Sequence, residues 1–405
     1  MRKRFKKKSM LLHRFPQMLL LLLALSNAMP AHAARTGQQV ERAFRHFDLQ
    51  ALNGDVPPCP SANCRFTWAA TALALGDAGE YARRLNFPGS KIYAATHGIA
   101  HNPNALARFR DMPRSSPLSF TAPGSLALTS RHDRSTIAAG QQRDAPPMIA
   151  ISINGVATTA MLDTGAAFAI PSTEKERLRL REWDVDLSTT AASGLSAPSR
   201  LALADEVQVG PFVMHNLAAR VTPAMTISGR LLPSPVYIGY DFLLRFGVVT
   251  IDFPAGRVYF NEVPGGPWQC APMWLVQDSN KVVAGIATDI VIDGKTLRGR
   301  IDTGANDTLL IHGRHPVGGD FSPVPNRWLL DQAGQAIALE SKTVRGTLAG
   351  IPFEKEAARI AIPHPDFDVT IGAAFLEEHT VQLNFAAHRF CMARRTSSSR
   401  QGADS

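Results

Sequence analysis

The tetrapeptide Asp-Thr-Gly-Ala occurs twice in the chain, as Asp163-Thr164-Gly165-Ala166 and as Asp302-Thr303-Gly304-Ala305, each time directly after an alternating apolar run. The lead-ins match as well. Ile151-Ser152-Ile153-Asn154-Gly155 runs on to Ala160-Met161-Leu162, and Ile290-Val291-Ile292-Asp293-Gly294 runs on to Gly299-Arg300-Ile301, so each aspartate follows a hairpin turning at Asn-Gly or Asp-Gly. Roughly seventy residues later a second signature recurs, Tyr237-Ile238-Gly239-Tyr240-Asp241-Phe242-Leu243 against Thr370-Ile371-Gly372-Ala373-Ala374-Phe375-Leu376, followed by closing strands at Val249 to Phe253 and Val381 to Phe385. Solenoid repeats are much shorter than this period, which therefore predicts two duplicated lobes. Two half-sites in one polypeptide suggest a single site with two carboxylates.

This order of elements, with both signatures present in both copies, resembles the retropepsin-like aspartic proteases. The second copy, Ile301-Asp302-Thr303-Gly304-Ala305-Asn306-Asp307-Thr308-Leu309-Leu310, is the closer match, and the resemblance spans roughly residues 145 to 393. Retroviral enzymes build one site from two identical subunits. Here both halves lie in one chain, so the resemblance implies a monomer with an intramolecular pseudo-dimer. It implies Asp163 and Asp302 as the catalytic pair, Thr164 and Thr303 hydrogen-bonded across the lobe interface, and Gly239 and Gly372 packed behind the two loops. Substrate contacts are implied for Ala166, Ala305 and Asp307. Ala167 and Phe168 replace the polar pair of the second copy, so the two sides of the cleft are expected to differ. A flap is implied too, with candidate tips at Ala192-Ser193-Gly194-Leu195-Ser196 and Gln332-Ala333-Gly334-Gln335, which are small and polar.

The chemistry needs few groups. Peptide hydrolysis of this kind requires a base to deprotonate water and an acid to protonate the carbonyl oxygen, and two adjacent carboxyl groups sharing one proton supply both. Like charges about 3 Å apart do not both ionise cheaply, so one proton leaves at low pH and the other is held much longer. The resulting pKa values belong to the pair. Gly165 and Gly304 let the chain turn tightly while backbone N–H groups approach the carboxylates. No metal or cofactor is called for. A lone Asp at a strand end is usually a turn or cap residue; two copies with matched downstream signatures reverse that reading. His215 and His379 are isolated and read as surface or core residues, His312 and His315 have no acidic or Cys neighbour beside them, and neither a Gly-x-Ser-x-Gly elbow nor a phosphate loop is present.

Charge locates a targeting segment. Of the formal +9, seven units come from Arg2, Lys3, Arg4, Lys6, Lys7, Lys8 and Arg14, and subtracting them leaves +2, too little to argue for nucleic acid or another acidic partner. Those charges precede the apolar run from Met18 to Leu25, and Ala31-His32-Ala33 closes the segment, as in a secretory signal peptide cleaved after Ala33. The expected location is the periplasm or the extracellular space, with no stable membrane span after cleavage. Export places the four cysteines in an oxidising compartment. Cys59 with Cys64 and Cys270 with Cys391 are the preferred disulfides of three pairings, and a zinc site of Cys59, Cys64, His97 and His101 is the rival for the first pair.

The expected organisation is a signal peptide at 1–33, a helical N-terminal domain at 34–125, a linker at 126–147, a first protease lobe at 148–263, a hinge at 264–267, a second lobe at 268–393 and a disordered tail at 394–405. Helical spacing runs from Val40 to Phe47 and from Trp68 to Leu85, the second stretch being similar to a single tetratricopeptide helix pair. Each lobe reads as short strands with one late helix, at residues 239–246 and 372–379, and with matching hairpins around Gly210-Pro211 and Ala349-Gly350. The fold class is thus mostly β, with two tandem acid-protease-like lobes behind a small helical segment. The functional expectation is an exported aspartic endopeptidase acting on peptides or proteins. The alternative is a catalytically silent envelope protein whose protease-like cleft binds peptides or serves an adaptor role.

Overall fold

Asn-Gly and Asp-Gly favour tight hairpins because both central residues must take positive φ. In the computed structural model Asn154 and Gly155 have φ of 49° and 76°, and Asp293 and Gly294 have 48° and 79°. Both turns are pinned from a neighbouring strand: the Asn154 side-chain oxygen accepts from Glu206 N at 2.9 Å and Asp293 Oδ1 accepts from Arg345 N at 3.3 Å. The structure describes residues 36–49, 52, 61–85, 111–116, 119–129, 147–190, 196–223, 226–227, 230–231, 234–277, 283–313, 317–330, 336–364 and 366–394. The expected signal peptide at 1–33, together with Cys59, His97, His101, His315 and residues 395–405, lies outside them.

The first lobe contains β1 (Gly124–Ala127), β2 (Met148–Ile153), β3 (Val156–Leu162), β4 (Ala169–Pro171), β5 (Arg181–Thr190), β6 (Ser196–Val209), β7 (Phe212–Thr222), the two-residue strands β8 (Thr226–Ile227) and β9 (Arg230–Leu231), β10 (Val236–Ile238), a helix at Tyr240–Leu243, β11 (Val248–Asp252) and β12 (Arg257–Phe260). The second contains β13 (Gln269–Gln277), β14 (Val283–Ile292), β15 (Lys295–Asp302), β16 (Leu309–His312), β17 (Ser322–Leu330), β18 (Ala336–Leu348), β19 (Ile351–Ile360), β20 (Val369–Gly372), a helix at Ala373–Leu376, β21 (His379–Asn384) and β22 (Arg389–Arg394). The late helices are shorter than the spacing predicts. Residues 244–246 continue the first one only as hydrogen-bonded turns.

Within each lobe one strand is inserted out of order. β10 runs parallel to β3, with Ile238 opposite Leu162, and β20 runs parallel to β15, with Gly372 opposite Asp302. Each also pairs antiparallel with the strand after the Asp-Thr-Gly-Ala loop, β4 or β16. The Ile-Gly signature is therefore wedged between the two ends of its own loop, which explains why the two motifs recur together.

The lobes are joined by a sheet whose order, β1-β12-β11-β21-β22-β13, reads the same in both directions once equivalent strands are exchanged. Its centre pairs β11 with β21, Val249 opposite Leu383 and Ile251 opposite Val381. The pseudo-twofold axis therefore passes between the equivalent residues Thr250 and Gln382, which face each other. β1 pairs with β12 as the start of β13 pairs with β22. The first lobe's opening strand is thus Gly124–Ala127, which straddles the expected boundary between helical domain and linker.

The helical segment shares this core. Val40, Phe44, Leu49, Leu52, Ala70 and Leu75 belong to the same buried apolar cluster as residues of both lobes. The stretch from Trp68 to Leu85 forms two helices, Ala62–Ala74 and Ala78–Leu85, because Gly76 takes φ of 70° and Asp77 caps the second, accepting from Glu80 N at 2.9 Å. The first helix, Gly37–Arg45, carries a Thr36 capping box. Among the described residues no helix is long and apolar enough to cross a membrane.

Cys270 and Cys391 face each other on β13 and β22 and are bonded, 121 residues apart in sequence. Cys64 is also disulfide-bonded, which leaves it no thiolate for the rival zinc site. Closing a loop this long is worth roughly 4 to 5 kcal/mol in the chain-entropy model. We expect Cys270→Ala/Cys391→Ala to lower the midpoint of urea unfolding while leaving the Asp163–Asp302 geometry unchanged. An unaltered midpoint would show that the strand pairing alone secures this edge.

Candidate active site

β3 runs directly into Asp163 and β15 ends in Asp302, and the loops that follow meet on the pseudo-twofold axis. Four reciprocal hydrogen bonds hold them. Thr164 Oγ1 donates to Ile301 O at 2.7 Å and accepts from Thr303 N at 3.0 Å; Thr303 Oγ1 donates to Leu162 O at 2.6 Å and accepts from Thr164 N at 3.1 Å. Both threonines are buried, so each lost partner would strand a desolvated donor or acceptor at about 1 to 3 kcal/mol.

The carboxylates are oriented by their own loops. Gly165 N donates to Asp163 Oδ1 at 2.8 Å, while Gly304 N and Ala305 N both donate to Asp302 Oδ1 at 3.1 Å. Each glycine lies against the opposite carboxylate. A Cβ on Gly165 would fall 2.6 Å from Asp302 Oδ1, and one on Gly304 would fall 2.7 Å from Asp163 Oδ1. Burial, then the charge of Asp302, push the Asp163 carboxyl well above the ordinary range against the opposing pull of Arg300. The arrangement can hold one proton between two oxygens and present both to a water molecule.

Behind the loops the two halves also correspond. Ala166 O accepts from Tyr240 N at 2.9 Å and Ala305 O accepts from Ala373 N at 2.7 Å, so both loop carbonyls are committed to helix N-termini. Gly239 and Gly372 sit directly against these loops. Asp307 is buried, and its positional counterpart Phe168 is fully buried. The candidate flap tips lie outside the described residues, except Ser196; the residues flanking them, Thr190 with Ser196 and Leu330 with Ala336, are paired as hairpin arms.

Three features were not assigned roles by sequence reasoning. Asp241 accepts from Phe168 N at 3.0 Å, anchoring the end of the first loop, and burial pushes its carboxyl up to about 6 against that bond and Arg245. Arg245, itself buried, donates to Asp241 O at 3.1 Å, to Ser115 Oγ at 2.8 Å and to the Leu75 carbonyl, tying the first loop to the helical segment. The second lobe has Ala374 and Glu378 at these places. Arg300 is the third: it donates to the Gly165 carbonyl across the interface and lies 3.4 Å from Asp302 Oδ2. Strand alternation places it on the same face as Asp302, two residues on, and that signal could have found it. Of the histidines, His312 is buried with Nε2 2.8 Å from Thr370 Oγ1, and burial, His364 and Arg300 bring it down to about 3. His379 is buried and His215 exposed.

A family-model match over part of the chain agrees with the resemblance seen in the first motif copy. Residues 149–242 match the family model described as aspartyl protease. The crystal structure of an aspartic proteinase from Irpex lacteus aligns over 69% of this chain and 99% of its own, with 14% sequence identity and a TM-score of 0.41. No curated protein matches the chain. The aspartyl protease family model thus covers the stretch from β2 through Asp163 to the helix that follows Gly239, while the strand order gives two lobes in one polypeptide.

Proposed function

We propose that this chain is an exported aspartic endopeptidase in which Asp163 and Asp302 activate a water molecule against a peptide bond. The observation that carries this reading is the pairing of the two carboxylates across a pseudo-twofold axis, with each Thr-Gly loop bonded to the other and each glycine against the opposite carboxylate. One carboxylate takes a proton from water as the hydroxyl attacks the scissile carbonyl carbon. The other gives its proton to the carbonyl oxygen, and the tetrahedral adduct collapses as the amine leaves with a proton. Thr164, Gly165, Thr303 and Gly304 keep the geometry, and Ala166, Ala305 and Asp307 border the substrate. The Cys270–Cys391 bond suits a chain released outside the cytoplasm after loss of residues 1–33.

A second reading, a silent peptide-binding protein, is favoured by the ion pair between Arg300 and Asp302, which occupies one oxygen of the pair. Incubating the mature chain with a peptide library from acidic to neutral pH separates the two. Cleavage at internal bonds that peaks while the pair retains one proton is the expected result. Peptides bound but uncut across the whole range would favour the silent protein.

A further inference from the structure

We infer that Arg300 breaks the symmetry of the carboxylate pair, holding Asp302 as its ionised member and leaving the shared proton on Asp163. The inference rests on the proposed reading only for its catalytic consequence; the protonation order itself is a property of the folded chain.

The argument starts from the duplication. Around the pair, the two lobes present equivalent positions on equivalent strands: Met161 beside Tyr237 in the first, Arg300 beside Thr370 in the second. An apolar thioether on one side is matched by a permanent cation on the other. Guanidinium groups do not lose their proton in proteins, so this difference persists at every working pH.

The cation is also fixed in place. Its Nη2 donates to the Gly165 carbonyl of the opposite lobe and approaches Asp302 Oδ2 at 3.4 Å, with the side chain mostly buried. Its guanidinium lies 5.7 Å from the centre of the Phe367 ring, and a Cβ on Gly285 would come within 3.2 Å of its Nε. Arg300 is thus seated by both lobes. Asp302 is served by the Gly304 and Ala305 amides on Oδ1 and by the guanidinium on Oδ2, whereas Asp163 has the Gly165 amide. Every extra donor favours the charged form of Asp302. The raised affinity of Asp163 for its proton agrees with this order.

The other titratable groups facing this cluster do not supply a competing charge. Tyr237, on β10, feels both carboxylates and is shifted upward by burial, so it stays neutral. His312 on β16 and His364 before β20 face Arg300, and burial brings them down to about 3 and about 4 respectively, so both are neutral above that range. Arg300 is therefore a positioning residue of the pair. It lowers the pH at which the second proton is lost, and it selects Asp302 as base and Asp163 as acid.

The test is a carbon-13 NMR titration of aspartate carboxyls in the full mature chain, assigned with Asp163→Asn and Asp302→Asn. In the unaltered protein the lower step should be carried mainly by Asp302 and the upper by Asp163. Arg300→Met, which copies the first lobe, should raise the upper step by about one pH unit or more, a tenfold change in proton affinity, while Arg300→Lys should stay close to the unaltered protein. Where peptide cleavage is measured, the alkaline limb of kcat/KM should move by the same amount. An unmoved upper step in folded Arg300→Met, or a lower step carried by Asp163, would overturn the inference. Should Arg300→Met fail to fold, Arg300→Gln takes its place with the same two outcomes. Failure of the unaltered chain to cut any peptide would count against the proposed function alone, since the titration still decides the role of Arg300.

Discussion

Asp163→Asn and Asp302→Asn are each expected to lower kcat/KM for peptide cleavage by about a thousandfold or more, with circular dichroism and the unfolding midpoint little changed. An amide keeps the shape of the carboxylate and can still accept the loop N–H bonds at Gly165 or Gly304. What it cannot do is hold or release the shared proton. Neither half can substitute for the other, because the base must take a proton from water while the acid protonates the carbonyl oxygen within the same encounter. The two losses should also be unequal in character: if Asp302 is the ionised member, its amide variant loses the base and Asp163→Asn loses the acid, so the surviving pH profiles should rise in opposite directions. A mixture of the two variants should regain no activity. Each chain already contains both lobes, and their β11–β21 pairing is intramolecular, with an effective concentration of roughly millimolar or above. Appreciable turnover in either single variant, or rescue on mixing, would rule out a paired site completed within one chain.

The halves of the site were legible in the sequence because they depend on local rules repeated twice. Asn154-Gly155 and Asp293-Gly294 announce their hairpins through the backbone conformation they require, and both turns form as read. Cys270 and Cys391 could be paired because the chain between them is one lobe, whose first and last strands lie side by side. Less was legible where the determinant was tertiary. The helical segment is not a separate unit: alongside its own cluster of Phe66, Ala69, Ala72, Tyr81 and Leu85, its residues Val40, Phe44 and Leu75 share the buried cluster of the lobes, and Phe47 meets Phe385 with ring centres 5.2 Å apart. β1 is four residues long and, among the described residues, its strand partner is Arg257–Phe260, more than 120 residues on, so no local pattern distinguishes it from a linker. Asp241 and Arg300 lie within the recurring motifs, but the motifs themselves assign them no role. A buried carboxylate bonded to a distant backbone amide leaves no periodic trace, and alternation along β15 puts Arg300 on the face of Asp302 without revealing the Gly165 carbonyl of the other lobe that it meets.

Gly239→Ala and Gly372→Ala are expected to destabilise the protein by about 3 kcal/mol or more each, and to depress activity beyond what that loss explains. Conformational freedom is not the reason. Their φ values are −102° and −91°, which any residue adopts. The obstacle is contact with backbone: a methyl on Gly239 would lie 2.6 Å from Ala167 Cα, and one on Gly372 would lie 2.8 Å from Ala305 O and 3.0 Å from Asp307 C. A side chain could rotate aside, but these atoms belong to the loops that carry Asp163 and Asp302. Relief of the clash must move the loops, and displacement there opens the Thr164–Thr303 bonds that set the distance between the carboxylates. Gly155→Ala provides the contrast, since φ of 76° strains any side chain but nothing lies within 4 Å of the added carbon. That variant should cost about 1 to 2 kcal/mol and leave kcat untouched. Urea unfolding and peptide cleavage measured on the same three variants give the decisive ranking, and Gly239→Ala or Gly372→Ala milder than Gly155→Ala would mean that the signature glycines do not support the loops as described.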